Sequence, residues 1–181
     1  MANTSQIRGF EPYAMLGSSG SPKVAPITYT ATANVEICPG DALALVDGGS
    51  ATTVGLAKAG DVVGMVGIAA NYVSATATDR TVRLYPADPN IIFKVQQAEY
   101  TADDQGKCAD HVVASGSVGT GPFGTAGAAV SGHYLSGTTG ATGGWKILGL
   151  APGSVVGNYA KVLVVYNEGA FYGAANGIAD A

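Results

Sequence analysis

The chain has 181 residues, of which 47% are apolar and only 12% charged, with a net charge of −4 at neutral pH. That length fits one domain with a sizeable core, while charge runs at about half the roughly 25% of an average soluble protein. Its basic residues are scattered, with Arg80 and Arg83 the nearest to a pair, so the clustered positive face that nucleic acid requires is not expected, and no stretch reaches the about 20 apolar residues of a membrane-spanning helix.

The opening MANTSQIRGFEPYAML has no basic region followed by an apolar run, so a secretory signal is not expected and synthesis in a cytoplasm is. Residues 1–24, with Gly9, Pro12 and a GSSGSP run, predict an extended N-terminal arm. Helical periodicity is nearly absent beyond this point, and alternation of period two is common. Residues 24–37 are rich in Thr, Val, Ile and Tyr and predict one or two strands. Pro39-Gly40 is a turn, because proline presets its φ and glycine accepts a positive one. Residues 42–46 are the next strand, and Asp47-Gly48-Gly49 a second turn. Residues 61–73 read as a strand with Gly64 and Gly67 inside it, marking a bulge, a bend or close backbone approach.

Residues 81–85 alternate, with Val82 and Leu84 on one face. In YPADPNIIFKVQ, residues 85–96, Ile91, Phe93 and Val95 share one face and Ile92, Lys94 and Gln96 the other. Pro86 and Pro89 cannot donate to a ladder, so residues 86–90 are the connection between two strands. Asp88 suits that connection by bonding nearby amides, which is a commoner role for a lone turn aspartate than catalysis. Residues 100–110 predict a short helix, with Thr101 as its cap and Asp103 and Asp104 in its first turn. Residues 111–145 contain no Asp, Glu, Lys or Arg, and ten of those 35 positions are glycine. They predict long loops around a hairpin at 128–135. Residues 145–150 and 161–166 predict two strong strands joined by a hairpin loop at 152–158. The whole predicts an all-β fold, a compact barrel or sandwich over residues 25–172 with at most one or two short helices, and a small-residue tail at 173–181.

Chemistry-bearing residues are few. Cys108 and His111 have a C-x-x-H spacing, but a zinc site needs about four such ligands, and only Cys38 and His133 remain to complete one. The same residues could supply a Cys–His nucleophile pair, without a local signature. Two thiols fit a pair of buried cysteines better than a disulfide. Asp103 and Asp104 lack the D-x-D-x-D-G pattern of a calcium loop. The glycine-rich stretch 119–127 has no lysine and no GK[ST] ending, so it does not read as a phosphate loop. Tyr159, Tyr166, Phe171 and Tyr172 lack interleaved basic residues and fit core and interface better than a stacking platform. No catalytic, cofactor-binding or metal-ligating residue is assigned, and neither enzymatic activity nor a cofactor is expected.

Taken in order, MANTSQIRGFEP, CPGDALALV, AGDVVGMVGIAANYV, YPADPNIIFKVQ, WKILGLAP and AKVLVVYNEGAF resemble a family of tailed-phage head decoration, or cement, proteins. DPNIIFKVQ and the succession of WKILGL by VLVVYNE carry most of the resemblance; residues 111–144 and those beyond Tyr172 do not contribute. The resemblance implies a small all-β virion protein on the outer face of the capsid. It would act as a homotrimer that clamps neighbouring major capsid subunits and stabilises the expanded head, with neither nucleic acid nor membrane as a partner. Two other classes stand beside it. One is a virion surface β-module for receptor or glycan binding, for which Trp145, the one tryptophan, is poorly placed in a predicted core strand. The other is a hydrolase using Cys108 with His111 or His133.

Overall fold

The computed structural model describes residues 3, 8–17, 26–46, 53–59, 65–78, 80–113, 131–141 and 143–167. Among them are thirteen strands, one turn of 3-10 helix and no α-helix. The strands are β1 (Glu11–Met15), β2 (Ile27–Ala31), β3 (Ala42–Leu45), β4 (Thr53–Leu56), β5 (Met65–Ala69), β6 (Arg80–Pro86), β7 (Ile91–Gln96), β8 (Glu99–Tyr100), β9 (Cys108–Val113), β10 (His133–Gly140), β11 (Trp145–Leu150), β12 (Gly157–Asn158) and β13 (Lys161–Tyr166). Five of them close into a barrel in the order β2-β4-β3-β5-β6, and six form a sheet in the order β1-β7-β13-β11-β9-β10. The expected all-β class and its barrel are therefore present.

Alternation builds both parts. On β6, Val82 and Leu84 are buried while Thr81 and Arg83 face solvent, and Arg80, at the start of the strand, is exposed as well. On β7, Ile91, Phe93 and Val95 are buried and Ile92 and Lys94 only partly so. Gly67, inside β5, has no room for a side chain, since a Cβ there would collide with the Tyr85 carbonyl oxygen. The close approach read from that glycine is real. The connection at residues 86–90 does more than turn a hairpin, because β6 belongs to the barrel and β7 to the sheet. Asp88 Oδ1 accepts the Asn90 backbone N–H at 2.7 Å and its side-chain amide at 2.9 Å. This is the turn chemistry expected of it.

The sheet is antiparallel throughout its ladders. It also curls, for Ala98 donates to the Leu135 carbonyl at 3.0 Å and a parallel bridge joins Gln97 to Leu135, bringing β10 round to the end of β7. The predicted hairpin of residues 145–166 is the β11–β13 pair, running from Trp145↔Tyr166 to Leu150↔Val162 with a register shift between Ile147 and Gly149.

Two expectations need correction, and a third falls partly outside the described residues. Part of the arm is an edge strand: β1 pairs with β7, with an irregularity between Pro12 and Ala14, and an edge is where a strand tolerates proline. Phe10 is 1% exposed and stacks on Trp145 at 4.3 Å, so this segment does bury apolar surface. The helix predicted at 100–110 is one 3-10 turn, Ala102–Asp104. Gly106 then takes φ +85°, which stops a helix, and Cys108 begins β9. Of the hairpin predicted at 128–135, residues 133–135 lie in β10, which starts at His133 and pairs with β9; residues 128–130 lie outside the described set.

The larger core joins the two parts. Ala42, Met65 and Ile68 of the barrel pack with Phe10, Phe93, Leu135, Trp145, Val164 and Tyr166 of the sheet and arm. A second cluster, including Leu43, Val54, Val66, Val82 and Leu84, fills the barrel itself.

Candidate functional site

Two places stand out, one on the surface and one buried. The surface place is the loop between β11 and β13. Val155, Val156 and Tyr159 are 43%, 55% and 44% exposed, and residues 151–160 carry no charged side chain. The loop is well tied. Ala151 N–H donates to Lys161 O at 2.9 Å, Lys161 N–H to Ser154 Oγ at 2.8 Å, and Tyr159 N–H to Ala98 O at 3.0 Å. The short β12 also pairs with β8. Tyr159 holds φ +57°, an unusual conformation for a bulky residue. Asn3 reaches this loop from the N-terminal segment. Its amide donates to Val155 O at 2.7 Å and Asn158 O at 3.1 Å, and its Oδ1 accepts from Val155 N–H at 3.2 Å. An exposed apolar tip fixed by backbone bonds has little ordering entropy left to lose on docking.

The buried place is where Arg8–Phe10, the turn Cys38–Asp41 and the entry to β10 at Ser131–His133 meet. Phe10 N–H donates to Gly40 O at 2.9 Å. Gly9 at φ +73° lies so close that a Cβ there would run into Gly40 O and Ser131 Oγ. Asp41 Oδ2 accepts the Cys38 N–H at 2.6 Å, and its Oδ1 lies 3.7 Å from His133 Nε2. Ser131 Oγ accepts the His133 backbone N–H at 3.1 Å and hydrogen-bonds Asp41. His111 stacks on His133 with centroids 5.6 Å apart and planes 11° from parallel. Burial raises the Asp41 pKa to about 6, against hydrogen bonds from Ser131 and Cys38 that pull it down. Burial, and then the neighbouring His111, lowers that of His133 to about 3. At neutral pH the contact is therefore a carboxylate beside a neutral imidazole and not an ion pair.

The sequence candidates fall out as follows. Cys38 and Cys108 are both buried. Cys108 and His111 sit three apart on β9, and strand alternation sends such residues to opposite faces, so the C-x-x-H spacing does not converge. His111 and His133 do come together, across the β9–β10 ladder. Among the described residues no group of three or more His, Cys, Asp or Glu is arranged to hold a metal ion. Asp103 is exposed, while Asp104 is buried and binds Thr101 and Thr139. Trp145 and Tyr166 pack edge to face in the core. Phe171, Tyr172 and the glycine-rich stretch 119–127 lie outside the described residues.

Sequence reasoning missed Asp41 and Ser131. Asp41 follows a Pro-Gly turn, where an aspartate reads as turn chemistry, and it does accept the Cys38 N–H. Ser131, His133 and Asp41 have the residue types of a hydrolytic triad, but all three are at most 4% exposed. The serine oxygen is bonded to both partners, so it meets no substrate while the joint is closed. No protein-family model matches the chain, and no curated protein is similar to it.

Proposed function

We propose that the chain is a head decoration protein of a tailed phage. In this reading it is a virion structural protein that binds the outer surface of the capsid, with the major capsid protein and copies of itself, as a homotrimer, for partners. It stabilises the expanded head and has no catalytic role. The observation that carries the reading is the fixed, uncharged, apolar loop at Val155, Val156 and Tyr159. It supports a lasting protein–protein contact, and the family resemblance of the sequence names the partner surface. Modest contacts repeated over a shell gain by avidity, roughly 10²–10⁴ over a single contact. Exposed apolar anchors on a loop that carries no charge of its own also make binding depend weakly on salt.

The test is to strip the protein from virions, add it back and heat the heads while following DNA release. Stripped heads release DNA at lower temperature, and the wild-type protein restores the release temperature where Val155→Ser/Val156→Ser does not. Equal release temperatures with and without the protein overturn the proposal. Loss of adsorption to host cells with unchanged head stability favours the receptor-binding class instead.

A further inference from the structure

We propose that Asp41 and His133 form a proton-compensated lock that keeps the Arg8–Phe10 segment seated on the barrel and the sheet across the mildly acidic range. The lock lies where three distant pieces of chain meet, at Gly9, Gly40 and Ser131, with backbones too close for a Cβ at Gly9. Asp41 faces His133 at 3.7 Å, the Ser131 hydroxyl and the Cys38 amide, with Glu36 as a more distant carboxylate. His133 faces Asp41 and the parallel ring of His111. Arg8, on the arm, is exposed. One carboxyl and two imidazoles thus share a buried site in which each separate charge is opposed by loss of water.

The consequence is a matter of counting protons. In the closed joint Asp41 takes a proton near pH 6 while His133 stays neutral to about 3. In an opened, hydrated joint the carboxyl takes its proton near pH 4 and the imidazole near 6.5. Between about pH 4 and 6 both states of the pair therefore hold one proton, on the aspartate when closed and on the imidazole when open. Opening is independent of pH wherever the two states bind equal numbers of protons. The two residues acting alone have opposite signs. His133, with its depressed pKa, stabilises the closed joint above 6.5 and loses that as pH falls. Asp41, with its raised pKa, favours the closed joint more as pH falls from 6 towards 4.

The test is hydrogen exchange at the Phe10 amide, which donates to Gly40 O, measured from pH 7 to 4.5 in the wild type, Asp41→Asn, His133→Phe and the double variant. His111 is present in all four. Relative to wild type, the opening constant of Asp41→Asn rises by up to about tenfold per pH unit as pH falls, that of His133→Phe drops by a similar factor, and the double variant follows the wild type. Single variants that both track the wild type, or that move in the same direction, overturn the proposal. If a variant does not fold, NMR titration of Asp41 and His133 in the wild type decides. Uptake of one proton by Asp41 between pH 7 and 4 while His133 stays neutral supports the lock, and protonation of His133 in that range, or of neither residue, rejects it.

Discussion

Asp104 shows how one side chain can fix several pieces of chain. Its carboxylate accepts the Thr101 backbone N–H at 2.7 Å and the Thr139 hydroxyl at 2.6 Å, tying the 3-10 turn to β10. Burial works against its charge, but the hydrogen bonds from Thr139 and Thr101, aided by Lys107, prevail and hold its pKa below the usual 3.8. Two charge-assisted bonds are worth several kcal/mol before desolvation, so Asp104→Ala should cost about 2–3 kcal/mol at pH 7. A depressed carboxyl pKa stabilises above the unfolded value and loses that as pH falls, so the gap between wild type and variant should narrow below about pH 4. Urea titrations at pH 7 and 3 check this, and a gap unchanged with pH refutes it. Gly9 gives a second prediction at this scale. Its positive φ and the absence of space for a Cβ should make Gly9→Ala cost about 3 kcal/mol in the same assay. A loss under about 1 kcal/mol would mean that the joint can move apart at little cost.

At the scale of elements, the N-terminal segment is where sequence and structure part. Proline and glycine mask β1, because its pairing is supplied by β7, some 80 positions on, and not by local pattern. The anchor is Phe10, stacked on Trp145. Phe10→Ala should cost about 3–5 kcal/mol and shift Trp145 emission to longer wavelength as water reaches the ring. Unchanged emission and stability would show the arm to be a passive appendage. The strands β6, β7, β11 and β13 were legible because their patterns alternate, and β3 because two turn signals flank it. β4 went unread because its four residues follow a turn without clear alternation. The 3-10 turn was legible at its start, where Thr101 and Asp104 carry local chemistry, and misread at its end, where β9 is fixed by partners in β10 and β11. The loop at Val155 to Tyr159 was legible as a hairpin, but its exposure was not, since small changes of register would bury either valine. The Asp41–His133–His111 cluster could not be read at all: its members are separated by some 20 to 90 positions, and each has an ordinary local explanation.

At the scale of the molecule, the question is whether a barrel and a sheet joined by the 86–90 crossing behave as one unit. The core argues that they do. Met65 is fully buried on the barrel strand β5, yet it belongs to the same cluster as Phe93, Trp145 and Tyr166 of the sheet. Removing the sheet would therefore uncover barrel side chains, and an exposed apolar barrel wall costs about 25 cal/mol for each Å² returned to water. Cooperative loss of both parts is the expected result, with no intermediate in which one survives. Trp145 reports on the sheet side, and hydrogen exchange of Leu43 and Val54 amides reports on the barrel. Both should give the same urea midpoint. Met65→Ala, though placed in the barrel, should lower both midpoints together by about 2–5 kcal/mol of stability. A variant in which the barrel amides lose protection while the Trp145 transition stays in place would mean that the shared cluster does not couple the two halves, and that each is held by its own interior.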